Sequence, residues 1–225
     1  MSALFVAGAG TDVGKTFVAA QLIRALIARD VRVEALKPVV SGFDPADWEM
    51  SDPGQLLAAL GRPLDNRSLA AISPWRYAAP LSPDMAARLE GRTVDCRSVI
   101  AWCRERIAAA PAAFTLVEGA GGVMSPVDED TTGLDLMAGI AAPVLLVGGS
   151  HLGAISHTLT AIEALRARGL GLNAVVVSES LAAGTPFAET VAAIGRLSGF
   201  APVIAAPRGM ADLAWRDALA DAVLA

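Results

Sequence analysis

Gly8-Ala9-Gly10-Thr11-Asp12-Val13-Gly14-Lys15-Thr16 stands between a short apolar run, Leu4–Ala7, and a longer amphipathic one, Thr16–Ala28. The first run reads as a buried strand and the second as a helix. A Gly-rich loop between them meets two needs of a phosphate chain: glycine lets backbone N–H groups come close, and the helix start adds the positive end of its dipole. Lys15 would then reach the β- and γ-phosphates, and the Thr16 hydroxyl would ligate Mg²⁺. The strict phosphate-loop pattern wants glycine where this chain has Ala9, with Gly8 and Gly10 on either side. Two competing patterns fit worse. A partition-type ATPase adds a second lysine early in the loop, and here Lys15 is alone. A dinucleotide-binding G-x-G-x-x-G turn would need glycine at Val13.

Outward from the loop, short apolar runs alternate with amphipathic ones, the signature of βαβ units. The strands expected are Leu4–Ala7, Val31–Leu36, Phe114–Glu118, Val144–Gly148, Leu172–Val177 and Val203–Ala205. The helices expected are Thr16–Ala28, Ser98–Ala109, Ile155–Arg168, Pro186–Leu197 and Ala211–Val223, with Gly169 and Gly199 as stop signals. The fold class is therefore α/β: a mainly parallel central sheet flanked by helices, P-loop NTPase-like, in one domain over residues 1–225. Ligands of such sheets collect at the carboxyl ends of the strands. There lie Gly8–Thr16, Lys37–Ser41, Glu118–Gly122, Ser150–Ser156 and Ser178.

Composition narrows the class. With 54% hydrophobic and 18% charged residues, the chain is too apolar to be disordered. No run approaches the roughly 18 apolar residues of a membrane span, and Met1–Val6 lacks the basic stretch of a signal peptide. A soluble, cytoplasmic protein is expected. Net charge is −5 with no basic cluster, which argues against nucleic acid or a membrane surface as partner. Cys96 and Cys103, seven apart on one helix, would be roughly 10 Å apart, too far for a disulfide. His151 and His157 are six apart, a spacing that does not turn both toward one metal. Asp128, Glu129 and Asp130 read as a solvated loop.

Lys37, after the second strand, is placed to neutralise a transferring phosphoryl group. Glu118, after the third, is placed like the Walker-B acid that holds Mg²⁺, and the glycines behind it let a substrate approach the backbone. Four segments together resemble the dethiobiotin synthetase family, whose motifs are G-T-D-T-x-V-G-K-T, K-P-V-x-S-G, V-E-G-A-G-G and L-G-x-x-N-H. Here they stand in the same order as Gly8–Thr16, Lys37–Gly42, Val117–Gly122 and Leu152–His157.

That resemblance implies a reaction: 7,8-diaminononanoate takes up CO₂ as a carbamate, ATP phosphorylates it, and the second amine closes a urea ring. It also implies residues. Lys37, Lys15 and Thr11 would be catalytic; Thr16, Asp52 and Glu118 would hold Mg²⁺, with Asp44 and Asp47 as rivals of Asp52. Nucleotide contacts would come from Asp12, Val13, Gly14, Lys15, Thr16, Phe17, Glu118, Gly119, Ala120, Gly121, Ser178 and Pro207. Substrate contacts would come from Ser41 and from Gly153, Ala154, Ile155 and Ser156, the last four reaching a carboxylate across a homodimer interface. The chain departs from the family at Ala9-Gly10, where a Thr-Asp pair is usual, and at Ser178, where asparagine is. Another P-loop amide-forming ligase would need a further glutaminase domain, for which 225 residues leave no room. A non-catalytic nucleotide switch would lack a second substrate site, against which Lys37 and Ser41 speak.

Overall fold

A computed structural model describes residues 3–181, 185–200, 202–209 and 214–225. Six strands form one sheet: β1 (Ala3–Gly8), β2 (Val33–Leu36), β5 (Phe114–Gly122), β6 (Val144–Gly148), β7 (Leu172–Ser178) and β8 (Val203–Ala206). Their order is β2-β5-β1-β6-β7-β8, and every pairing is parallel. The long apolar runs are explained by that arrangement, because a parallel sheet is covered on both faces. Side chains alternate, so Leu4 and Val6 face one layer while Phe5 and Ala7 face the other. The first layer contains α1 (Lys15–Ile27), α2 (Asp52–Ala59) and α9 (Ala214–Leu224), through Leu22, Leu57 and Leu219. The second contains α4 (Pro83–Leu89), α5 (Cys96–Ala109), α6 (Gly133–Ile140), α7 (Ala154–Ala167) and α8 (Phe187–Ser198), through Ala86, Cys103, Met137, Ile162 and Ile194.

From β1 the chain crosses to the sheet edge at β2, returns through β5, and then builds outward from β6 on the far side of β1. The strand order reverses around β1, and the crevice at its carboxyl end is where such sheets receive ligands. The stretch between β2 and β5 holds what periodicity did not predict. It contains a two-stranded parallel ribbon of β3 (Val39–Ser41) and β4 (Trp75–Tyr77), a 3₁₀ turn at Trp48–Met50, and the short helices α2, α3 (Asn66–Ile72) and α4.

Most expected elements are present with ends moved by one to three residues. The third expected strand is longer than its apolar core: β5 runs through Gly119–Gly122, and Gly122 pairs with Gly8 across an irregularity in β1. Glu118 is thus inside a strand, its chain direction fixed by pairing on both sides. The start of the last expected helix, residues 211–213, lies outside the described residues. Gly169 and Gly199 adopt the left-handed conformation that ends α7 and α8. Both cysteines are buried and free on α5, and burial pushes the Cys103 thiol up to about 12. No helix among the described residues is long and apolar enough to cross a membrane.

Candidate active site

Residues 9–14 leave β1 and turn into α1, whose first residue is Lys15. Gly14 takes φ +88°, a left-handed conformation that side chains resist. Gly8 is required for a different reason, since a Cβ there would lie 2.6 Å from the Gly10 carbonyl oxygen. Ala9 needs no such freedom: its N–H donates to the Val147 carbonyl at 2.8 Å, so it is still bound to the sheet. That is why alanine serves where the strict pattern has glycine. The N-terminus of α1 has neither a side-chain cap nor an acid in its first turn. Its N–H groups and dipole are therefore available to an anion. Lys15 curls back to the Gly10 carbonyl at 3.3 Å.

Beside this loop, four elements bring four side chains together. Thr16 comes from the first turn of α1, Lys37 from the residue after β2, Asp52 from the start of α2 and Glu118 from β5. The Lys37 Nζ donates to Glu118 Oε1, to the Gly119 carbonyl and to Asp52 Oδ2, each at 2.8 Å. Lys37 is 2% exposed and Glu118 1%. Burial works against the Lys37 charge, but attraction to Glu118 and then Asp52 overcomes it and holds the ammonium above the ordinary lysine value. Asp52 shows the complement: burial opposes its charge, yet Lys37 first, then Thr16 and Lys15, hold its carboxyl below the usual range. Lys15 moves the other way, lowered by burial and by repulsion from Lys37. Gly54 lets this happen, because a Cβ there would meet the Glu49 carbonyl oxygen at 2.3 Å and push α2 off the Trp48–Met50 turn. Asp44 and Asp47 have no part in the cluster; Asp44 accepts from the Ala46 N–H instead.

The donor set suits a hard divalent cation. Thr16 Oγ1 lies 2.8 Å from both Asp52 Oδ1 and Glu118 Oε1. A hydroxyl carries one proton, so one of these close oxygen pairs has none between them. Glu118 Oε2 is buried with no partner among the described residues. Two carboxylates and a hydroxyl are the oxygen ligands that Mg²⁺ prefers.

The other expected site residues fall around this centre at differing distances. Thr11 borders Gly121 on the β5 side of the loop, and Ser178 packs on Gly14 on the β7 side. Glu179, next to Ser178, accepts from the Arg208 N–H at 2.7 Å, which brings the turn after Pro207 over the end of β7. Phe17 stacks on Trp215 at 5.8 Å, so its ring is structural. The glycines of Glu118–Gly122 make room: a Cβ on Gly119 would lie 2.9 Å from the Phe5 ring. Ser41 ends β3 with a buried hydroxyl that has no partner among the described residues. Gly153–Ser156 form the start of α7, with Gly153 at φ +91° and Ala154 buried; no hydrogen bond or ion pair among the described residues joins them to the cluster.

Two sequence readings need correction. Asp128 is not merely solvated: its carboxylate accepts from the N–H groups of Cys96, Asp130 and Thr131 and ties its loop to the start of α5. His151 and His157 do approach each other, with ring centroids 5.8 Å apart, because the left-handed Gly153 folds the segment back. Among the described residues no group of three or more His, Cys, Asp and Glu gathers around a metal position. Sequence reading also passed over Ser125, which organises the turn after β5; the Ser-Pro pair that follows the glycines after Val123 and Met124 was its one signal.

Comparison with known proteins bears on the family and the fold. The profile of the family described as AAA domain matches residues 2–214. The ATP-dependent dethiobiotin synthetase of Phenylobacterium zucineum is 53% identical over 226 residues, covering 100% of this chain and 96% of that protein. The enzyme of the same name from Methylobacterium nodulans is 54% identical over 205 residues, covering 88% and 90%. Among solved structures, the cell division ATPase MinD of Pyrococcus furiosus superposes with a TM-score of 0.55 at 15% identity, covering 100% and 99% of the two chains. A ParA family ATPase from Chlorobium tepidum gives 0.53 at 16% identity, covering 100% and 92%. At such identities the likeness is one of fold.

The Asp52 contacts make a pH-dependent prediction. A carboxyl held low in the folded state stabilises it above the unfolded value, about 3.9, and that contribution is lost as pH falls through the folded value. Asp52→Asn should therefore lower the urea midpoint at about pH 7, and the gap from the unsubstituted protein should narrow as pH falls below the unfolded value. A gap independent of pH would mean that the carboxylate charge is not what Asp52 contributes.

Proposed function

The chain belongs to the family of ATP-dependent dethiobiotin synthetases, and we propose that its β1 crevice closes the urea ring of dethiobiotin from 7,8-diaminononanoate, CO₂ and ATP. The observation that supports this most is the buried Thr16–Lys37–Asp52–Glu118 cluster beside a phosphate loop. One amine attacks the carbon of CO₂, forms a C–N bond and loses a proton, leaving a carbamate anion. A carbamate oxygen then attacks the γ-phosphorus, and the bond to the ADP oxygen breaks. The second amine attacks the carbonyl carbon, loses its proton and expels inorganic phosphate. Every step gathers negative charge, so the enzyme needs cations and fixed dipoles rather than a protein nucleophile.

The side chains divide that work. The α1 N-terminus and Lys15 hold the phosphates. The three protons of Lys37 are all taken by Glu118, Gly119 and Asp52, so contact with a phosphoryl oxygen requires it to give up one of these three acceptors. Thr16, Asp52 and Glu118 would hold Mg²⁺, which supplies Lewis-acid neutralisation of the phosphates. The Ser41 hydroxyl, without a partner among the described residues, would meet the diamine.

We also infer a homodimer. The loops after β6 and β7 are laced by reciprocal bonds between Ser150 and Ser180, each 2.9 Å. Each carries a bare leucine, Leu152 at 79% and Leu181 at 85% exposure, apolar surface that a second copy would cover. Sedimentation should give about twice the 23.0 kDa chain mass; an active monomer would refute the pairing.

Purified protein given diaminononanoate, bicarbonate, Mg²⁺ and ATP should yield the cyclic urea by mass spectrometry. Lys37→Gln should lower kcat by roughly 10²-fold, the scale of one lost electrostatic stabiliser. No product from the unsubstituted protein would defeat the assignment. A change confined to the nucleotide KM would make Lys37 a binding residue.

A further inference from the structure

Ser125 sits in the turn that carries the chain from β5 toward α6. Its Oγ accepts from the Gly122 N–H at 2.7 Å, its N–H donates to the Gly122 carbonyl at 3.0 Å, and its carbonyl accepts from Gly133 at 2.9 Å. The hydroxyl is thereby fixed, yet its own proton has no acceptor among the described residues. The Cβ position that Gly121 lacks lies 2.2 Å from Ser125 Oγ and 3.8 Å from Thr11 Oγ1. The Ser125 hydroxyl thus fills the place that a side chain at 121 would take, and the Thr11 hydroxyl borders the same place. Gly121 itself takes φ +65°, so it is held as glycine by conformation as well as by room.

That space lies on a particular side of the phosphate loop. Ser178 packs on Gly14 at the β7 flank, while Thr11, Gly121 and Ser125 border the loop at the β5 flank, where Lys37 and Glu118 also stand. A phosphoryl group on the loop has its acceptor on the flank that carries the cluster. Loop N–H groups and α1 serve the tetrahedral phosphates. Two neighbouring hydroxyl donors beside a bare backbone suit a planar carboxylate.

Resting on the ring-closure reading above, we propose that Ser125, paired with Thr11, donates a hydrogen bond to the CO₂-derived carboxylate of the substrate carbamate and orients its oxygen toward the γ-phosphorus. Ser125 is then a catalytic residue of the acceptor side, one that the four family segments do not include.

The test compares the unsubstituted protein with Ser125→Ala, Ser125→Thr and Ser125→Cys. Ser125→Ala should lower kcat for the cyclic urea about tenfold or more while leaving the ATP KM within about twofold, as expected when a donor to the reacting group is lost. Ser125→Thr keeps the hydroxyl and should restore kcat. Ser125→Cys, close in size but a weak donor, should be slow and covers the case in which the alanine variant fails to fold. With ¹³C-bicarbonate and the diamine but no nucleotide, the ¹³C signal of bound carbamate should be weaker in Ser125→Ala and Ser125→Cys than in the unsubstituted protein. An unchanged kcat in the alanine or cysteine variant, a loss confined to the ATP KM, or a threonine variant as slow as the alanine one would overturn the proposal. Absence of cyclic urea and of bound carbamate in the unsubstituted protein would instead overturn the ring-closure reading on which it rests.

Discussion

A lysine ammonium buried between two carboxylates is the constraint around which the crevice is arranged. An isolated charge of that kind is costly to bury, and the cost is met only when every proton finds an acceptor. Lys37 has three protons and three acceptors, Glu118, Gly119 and Asp52. Removing the buried Glu118 carboxylate leaves a buried charge short of its partner, a change that typically costs about 3–5 kcal/mol, whereas the partly exposed Asp52 is screened by solvent. The fold must therefore hold the ends of β2 and β5 and the start of α2 in register. The parallel pairing of β2 with β5 does this for Lys37 and Glu118, and the close seat of Gly54 on Glu49 does it for Asp52.

The same arrangement explains why the site is not built for stability alone. An apolar set of equal volume would pack as well without charges to desolvate. What an apolar set could not do is place a cation and a hydroxyl each within one hydrogen-bond length of the same two carboxylates, beside an uncapped helix start. Thr16 joins the two halves: its backbone belongs to the anion-binding turn and its hydroxyl to the acidic pair. Phosphate recognition and charge neutralisation are thus two faces of one turn of α1.

Much of this was legible in the sequence, for physical reasons that differ by residue. The buried strands are long, unbroken apolar runs, so the sheet and the loop after β1 could be read directly. Lys37 and Glu118 were legible because each stands at the carboxyl end of an apolar strand beside a phosphate loop; alone, either could have been an ordinary surface charge. Asp52 was reachable only by resemblance, since three aspartates share its stretch and nothing local separates them. What separates them is the packing of α2, a long-range contact. The short elements β3, β4, α2, α3, α4 and α6 went unread because three to eight residues are too few to express a period. The glycines after Glu118 read as a loop, because glycine weakens a strand everywhere except where another backbone lies close, as Gly8 does here. The approach of the histidine rings depended on the φ of Gly153, which spacing along a helix does not contain.

The central claim is that Lys37 is held as a cation by its carboxylate partners despite full burial. It can be measured directly by following the ¹⁵Nζ resonance of Lys37 through a pH titration of the folded protein. The account predicts that this ammonium stays protonated past the ordinary lysine value of about 10.4, because Glu118 and Asp52 outweigh desolvation. Deprotonation below that value would show that burial prevails and would contradict the account.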